Sequence, residues 1–531
     1  MREAGLPSRA RRFRLPGLAL SIILVAVASS FFTYHPYPYD NVVSRWGLVR
    51  SLTEQGTIAI DRFAIDTSDR ASSGAHFYTD KAVLLSLACV PVQYAALASG
   101  LASADTGPTG FRDPGRFVSE RILVTGSLLL LLLSIRRLCA LESVGSAPAL
   151  AAAGLASIIL PYSSILYAHV PAASLIFLSY LLQKQGRFVL SDLCGALASA
   201  LEYPVLVLYL VLLAYRGRRF LFSTRALVPL VMLAAAFAPQ IVHNWLAFGG
   251  PFRLGYSMET ADAFEALGTG FFGFGLPSPA RLFYLLFPPE RGLFFYMPWA
   301  VPALAGLFAR RLGGGLGRDP AAAMLVVFPV LFSALWTRTE GWAFGPRYLI
   351  PIVPFLAVGL ARFASSGPRA RWAAALLLIP ATLEAFLGLL GEMHLPVHPF
   401  ERAVPLPQVN ISLAMLLHGH HSVWLLGSAG GLILFLAALC LEIRLFAGSR
   451  FSPAALAVPV YMAAAAVLSP GNWGGKIDFY RGLLAEHRQE FSLAAEYYTR
   501  AAADPTAPSW VAAAAADMRT LAGQDPGGRS P

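Results

Sequence analysis

Apolar runs of membrane-spanning length recur along this chain as far as about position 470, and no motif constrains the fold as strongly. A spanning helix rises about 1.5 Å per residue, so about 20 apolar residues cover the hydrocarbon of a bilayer. Of the 531 residues, 56% are hydrophobic and only 13% charged, with a mean hydropathy of +0.58. A soluble globule of this length needs more polar surface than that. The pattern predicts an all-α polytopic membrane protein. The net charge of +11 does not point to nucleic acid, because most arginines sit between apolar runs, where they report topology. Cys89, Cys139, Cys194 and Cys440 lack metal-type spacing, and at least three lie in or beside apolar runs, which argues against a disulfide framework.

The basic residues set the orientation. Arg9, Arg11, Arg12 and Arg14 precede the first run and place the N-terminus on the cytoplasmic side. That run lacks a small-residue cleavage site and reads as an uncleaved anchor. Short connections with Arg136/Arg137, Lys184/Arg187, Arg216 to Arg219, Arg310/Arg311, Arg362 to Arg371 and Arg444 to Arg450 then fall inside. This gives about thirteen spans, near 17–34, 118–135, 146–162, 168–183, 189–201, 203–215, 226–244, 293–309, 320–336, 348–364, 371–390, 422–441 and 453–469. An odd number leaves the C-terminus on the far side, the periplasm in a bacterial inner membrane, to which the economy of the tail points. The runs flanking Glu202-Tyr203-Pro204 are too short to cross fully and read as a re-entrant pair.

The long connections are all outside: residues 35–117, 245–292, the stretch "TRTEGWAFGPRY" and about 391–421. Within the first, residues 41–54 and 81–100 read as helices lying along the membrane surface. Treating 81–100 as a span would put Arg136 and Arg137 outside, against the charge rule. On this outer face stand the chemistry-bearing residues. Asp40 ends span one, Asp80 and Lys81 open the second surface helix, Glu202 occupies the re-entrant turn, and Arg347 stands at the entrance to span ten with Glu340 and Tyr348 nearby. A carboxylate there can take a proton from an attacking hydroxyl, and fixed cations can stabilise charge growing on a phosphate leaving group. The bland alternatives are an interfacial acid, a snorkelling lysine and an anchoring arginine.

Asp40, the "TDKAVLLSL" segment with Lys81, "SLTEQGTIAIDRF" and "FGPRYLIPIVPFL" together resemble the GT-C superfamily of polytopic glycosyltransferases, in particular the protein O-mannosyltransferases and aminoarabinose lipid A transferases. The resemblance covers most of residues 15–365. It implies a GT-C bundle with surface helices in the first outer loop, Asp40 as general base, and Lys81 and Arg347 holding the phosphate of a polyprenyl-phosphate sugar. Asp80, Glu202, Tyr348 and Glu340 would line the site. The expected reaction is inverting transfer to an extracytoplasmic glycan, lipid or protein acceptor, with no metal required, although a divalent ion at Asp40 is compatible with it. Two positions depart from the family pattern: Asn41 follows Asp40 where many members have a second acid, and Ala82-Val83 follow Lys81 where prolines are usual.

Other signals are weaker. His418, His420 and His421 with His394 or His398 match no strong metal template. Glu259, Asp262 and Glu265 read as a wet helix face, and Asp61, Asp66 and Asp69 fall in a polar part of the first loop from which any could enter the site. Asn410 fits a glycosylation sequon. After the transmembrane body, residues 1–470, a tail at 471–522 has Gly482, Ala494, Tyr498 and Ala501 at spacings like those of a tetratricopeptide repeat, with Pro505 one position early. It would pack on the outer loops or bind a protein partner, and residues 523–531 read as disordered. Two rival functions are a transporter or lipid flippase, which should show paired broken helices in related halves, and a non-catalytic assembly factor acting through the tail.

Overall fold

The computed structural model describes residues 17–35, 39–103, 113–258, 273–288, 291–308, 319–335, 343–390, 423–424, 427–445, 478–479, 481–482, 485–486, 490–503 and 509–524. Arg9 to Arg14, Glu259, Asp262, Glu265, Arg310, Arg311, Glu340, His394, His398, Asn410, His418, His420, His421, the expected span at 453–469, Pro505 and residues 525–531 lie outside them.

The fold is mostly helical. Among the described residues, four helices are long and apolar enough to cross a membrane: Pro114–Leu141, Thr224–Phe248, Arg347–Ala364 and Pro368–Leu390. Shorter apolar helices, including Leu18–Phe31, Phe188–Leu201, Val205–Ala214 and Pro320–Ser333, pack with them around one large apolar core. The helices Ala300–Phe308 and Val353–Ala364 approach closely through glycine. A Cβ on Gly306 would come within 1.9 Å of the Gly359 carbonyl oxygen, so this crossing requires glycine there.

Two expected spans are broken. Residues 146–162 divide into Ala147–Gly154 and Ile159–Tyr162, and residues 293–309 into Leu293–Tyr296 and Ala300–Phe308. In the second, Met297 leaves helical angles ahead of Pro298, which has no N–H to continue the ladder. Unwound backbone is tolerated among apolar helices only where its polar groups find partners. Here Trp299 Nε1, beside the second break, donates to the Ala156 carbonyl in the first at 2.6 Å, giving that backbone group a partner. Nor is the protein wholly helical: Thr33–Tyr34 pairs with Val423–Trp424, and Arg70–Ser73 forms a hairpin with His76–Thr79. Period-2 alternation over four-residue strands is too short a signal to read from sequence.

The first helix, Leu18–Phe31, ends on a buried arginine from another span. Arg121 donates to the carbonyls of Ser30, Phe31 and Thr33 at 2.5–2.9 Å, and to that of Ser164 at 2.6 Å. Orphan carbonyls at a helix C-terminus carry partial negative charge, which a guanidinium satisfies well. Arg116 continues this work by bonding the Tyr34 hydroxyl and the His35 carbonyl. The exit of the first helix, and hence the start of the loop carrying Asp40, is thereby pinned. The helix expected at 41–54 runs as Asp40–Arg50 with a wider turn over Ser51–Gln55, and that expected at 81–100 runs as Leu84–Ala98 and packs on it.

Another cluster ties four segments together. Arg362 forks onto Glu142 at 2.7 and 2.8 Å and reaches Asp319 at 2.8 Å, while the Tyr180 hydroxyl donates to Asp319 at 2.8 Å. Removing one member of a buried charge network strands the others. Arg362→Met should therefore cost about 3–5 kcal/mol, read as a lowered thermal midpoint of the detergent-purified protein. An unchanged midpoint would show that the cluster contributes nothing.

Candidate functional site

The site begins at the hairpin. Because Arg70 pairs with Thr79, the residues just beyond that pair, Asp69 and Asp80, stand together at its open end. Lys81 comes next, and its Nζ lies 2.5 Å from Asp80 Oδ2 and 3.0 Å from Asp69 Oδ2. The Asp80 side chain is fully buried, whereas that of Asp69 retains 13% exposure. Ser44 Oγ lies 2.8 Å from Thr79 Oγ1 and donates to Asp80 Oδ1 at 3.4 Å. Above Lys81 sits the Tyr256 ring, 5.5 Å from Nζ. That placement depends on Gly255, where a Cβ would come within 2.7 Å of Asp80 Cα.

Asp40 opens its helix directly after Tyr39, which is extended. A carboxylate in the first turn is favoured by the partial positive charge of the helix N-terminus. The segment before the hairpin closes over it. Thr67 Oγ1 donates to the Asp40 carbonyl at 2.9 Å, the Ser68 N–H donates to Asp40 Oδ1 at 3.1 Å, and the Asp69 N–H returns to Thr67 Oγ1 at 3.0 Å. Asp40 and Asp69 are thus held by one short stretch of backbone. Burial pushes the Asp69 carboxyl up to about 6; the negative charges of Asp80 and Asp40 act in the same direction, and Lys81 opposes them.

The second half of the site comes from the helical bundle. Glu202 sits in the turn between Phe188–Leu201 and Val205–Ala214, with Oε1 3.2 Å from His169 Nδ1 and 3.9 Å from Arg45 Nη2. Arg45 also donates to Asn41 Oδ1 at 2.9 Å and to the Ala82 carbonyl at 2.8 Å. The His169 ring stacks on Tyr167 and meets Tyr348 edge-on. Arg347 lies 5.7 Å from the Tyr167 ring centre and 5.2 Å from that of Tyr348, and its buried Nε has no hydrogen-bond partner among the described residues. The charges of Arg45, Arg347 and Lys81 all act on Glu202, and those of Asp69 and Asp40 act on Tyr167, so the two halves form one site.

Of the residues expected from sequence, Asp40, Asp80, Lys81, Glu202, Arg347 and Tyr348 come together here, while Glu340 lies outside the described residues. Arg45, His169, Tyr167 and Tyr256 are added by the fold, and Asp69 enters from the polar loop. The signal for Arg45 is visible in hindsight, as an arginine one turn beyond Asp40 on an otherwise apolar helix stripe. The hairpin that delivers Asp69 left no comparable trace. Among the described residues, no cluster of three or more His, Cys, Asp or Glu is arranged to hold a metal ion; Lys81 occupies the space between Asp69 and Asp80. Chemically, the arrangement pairs a carboxylate able to take a proton with two cations able to meet an anion.

No protein-family model matches this chain, and no curated protein matches its sequence. Among solved structures it is similar to ArnT from Cupriavidus metallidurans bound to undecaprenyl phosphate, at 14% identity and a TM-score of 0.41, over 91% of this chain and 79% of that one. It is similar also to the arabinosyltransferase EmbB from Mycobacterium smegmatis, at 15% identity and a TM-score of 0.40, over 88% of this chain but only 42% of that one. The apo state of the same ArnT gives 14% identity and a TM-score of 0.42, with the same coverage as the bound form.

The "FGPRY" segment has a direct physical test. Gly345 has φ of +60°, and a Cβ there would come within 2.9 Å of Ile158 Cγ2 and 3.2 Å of the Tyr296 ring. Left-handed backbone costs a residue with a Cβ about 1–2 kcal/mol before any clash. Gly345→Ala should lower stability by at least that order, read by the thermal midpoint in detergent; a midpoint equal to wild type would sink the account.

Proposed function

We propose that this chain is a polytopic membrane glycosyltransferase of the GT-C type, which moves a sugar from a polyprenyl-phosphate donor to an acceptor on the outer, periplasmic face. The observation that carries this reading is the meeting of Asp40 and Lys81 from the first loop with Arg347 from a helix entrance, in one site where apolar helices give way to polar loop. The motif resemblance supports it, and so does the Arg347 Nε, which has no hydrogen-bond partner among the described residues, since a buried guanidinium N–H calls for an acceptor such as a phosphate oxygen.

In the proposed step, the acceptor hydroxyl attacks the anomeric carbon as its proton passes to Asp40. The bond from that carbon to the phosphate oxygen breaks, and polyprenyl phosphate leaves with the electron pair. Lys81 and Arg347 stabilise the charge that gathers on the leaving phosphate. One base with direct displacement inverts the anomeric centre, because no enzyme carboxylate forms a covalent intermediate. Asp40 Oδ1 accepts from the Ser68 N–H, and Oδ2 is the oxygen assigned here to receive the proton. Glu202 and Tyr348 line the pocket wall, and Asp80 fixes Lys81. The scheme needs no metal.

The departures from the family pattern gain a reading as well. Asn41, standing where many members carry a second acid, orients Arg45, and the Ala82 carbonyl accepts from the same guanidinium. The second carboxylate near Asp40 is instead Asp69.

The tail, residues 471–522, is proposed as a separate helical unit. Its helices Phe491–Ala502 and Ser509–Gln524 share a small core around Ala494, Tyr498, Ala501, Val511 and Ala515, and Gly482 admits the Tyr498 ring. Deleting residues 471–531 should leave basal turnover close to that of wild type, since no described residue of the tail enters the site; complete loss would favour an assembly factor.

The decisive measurement is release of polyprenyl phosphate from a panel of polyprenyl-phosphate sugars. Asp40→Asn should lower turnover by about 10²–10⁴-fold, the usual contribution of a general base, while the protein still purifies folded. Lys81→Met should weaken donor binding and turnover together. Equal release by wild type and Asp40→Asn would remove Asp40 from the mechanism, and no release from any donor would favour a transporter.

A further inference from the structure

Lys81 is proposed above to hold the donor phosphate, yet in this structure two carboxylates already hold its ammonium. A phosphate anion cannot join them without raising the local negative charge, with Asp40 close by. Release of one carboxylate relieves that charge, and the two are not equivalent. Asp80 is fully buried, adjoins Lys81 in the chain and accepts from Ser44 Oγ. Asp69 keeps some exposure, sits at the end of a loop, and has Lys81 as its one cationic partner among the described residues. Arg70, next in the chain, turns instead to the Ala64 carbonyl and the Phe77 ring.

We infer that Asp69 is an internal competitor for Lys81, occupying the place that the donor phosphate takes and surrendering it on donor binding with uptake of a proton. It is a positioning residue, acting on the phosphate through Lys81, and the inference rests on the phosphate-binding role proposed for that lysine. The proton balance follows from the surroundings. Among the described residues, the groups facing Asp69 are Lys81, Asp80, Asp40 and the Tyr167 phenol, and of these only Lys81 is a cation. With the donor absent, the Asp69 carboxyl titrates near 6. Once a phosphate claims Lys81, that stabilisation is lost and a further negative charge arrives, so the proton is held more tightly. Binding therefore takes up a proton at pH values above about 6, and donor affinity falls as pH rises through that window. After transfer, loss of this proton would return Asp69 to Lys81 and help to expel the leaving polyprenyl phosphate.

The test is binding of the methyl phosphodiester of a short polyprenol to the full-length protein in detergent, followed by calorimetry. A phosphodiester keeps one negative charge throughout, so any pH dependence belongs to the protein. Wild type should bind roughly tenfold more weakly at about pH 8 than at about pH 6, the one-proton limit being about a hundredfold over two pH units. Measurement in two buffers of different ionisation enthalpy should show net proton uptake at about pH 7. Asp69→Asn should bind more tightly than wild type at about pH 8, lose most of the pH dependence and take up little proton. A flat wild-type profile overturns the inference even if the variant fails to fold, and so does an Asp69→Asn protein that keeps the wild-type slope. In both cases binding that is lost in Lys81→Met would leave the phosphate site standing. No binding by wild type at any pH, or equal binding by Lys81→Met, would remove the phosphate site itself.

Discussion

One buried guanidinium holds this site together. Arg45 is 3% exposed, and a charge so placed is tolerated only when its donors are matched. Its planar fork of donors spreads in fixed directions, which suits it to joining several segments at once. It reaches Asn41 on its own helix, the Ala82 carbonyl beside Lys81, and Glu202 in a turn far along the chain. Those contacts bring the Asp40 helix, the lysine segment and the bundle into register. Arg45 thereby links the helix that Asp40 opens to the turn that carries Glu202.

The same economy governs the bundle around it. Apolar surroundings leave irregular backbone with few partners, so a side chain that bonds it fixes its course. Trp299 bonds Ala156 across the paired breaks, and Tyr162 both accepts from the Phe344 N–H and donates to its carbonyl. That last contact holds the segment entering "FGPRY" and so sets the approach of Arg347. Arg121 does the equivalent for the first helix, closing its C-terminal carbonyls just before the loop that carries Asp40. Irregular backbone and positioned charge coincide because both require partners that only a folded neighbour supplies.

The carboxylates show how a short hairpin alters the electrostatics. Asp40 is followed by an amide rather than an acid, so the helix start carries one negative charge. The hairpin register then delivers Asp69 and Asp80 to either side of Lys81. Burial, and after it the neighbouring Asp80 and Asp40, raise the proton affinity of Asp69, the more exposed of the two acids touching Lys81.

Much was legible in the residues alone. Apolar periodicity and arginine placement determined a polytopic helical protein, because the length of an apolar run and its flanking charge are local properties. Asp40, Lys81 and Arg347 could be singled out because a charge beside an apolar run is conspicuous. Their meeting, and the arrival of Arg45, His169, Tyr256 and Asp69, could not be read in this way. Those placements depend on the pairing of Arg70 with Thr79, on Gly255 lying against Asp80, and on the turn at Glu202 facing Arg45. Each is a contact between segments distant in sequence or a register one residue wide, and neither leaves a periodic trace. The sequence by itself determined which groups carry charge at the edge of an apolar bundle. Only the tertiary structure decided which of them share a site, because charges couple through space over a few ångströms whatever their separation along the chain.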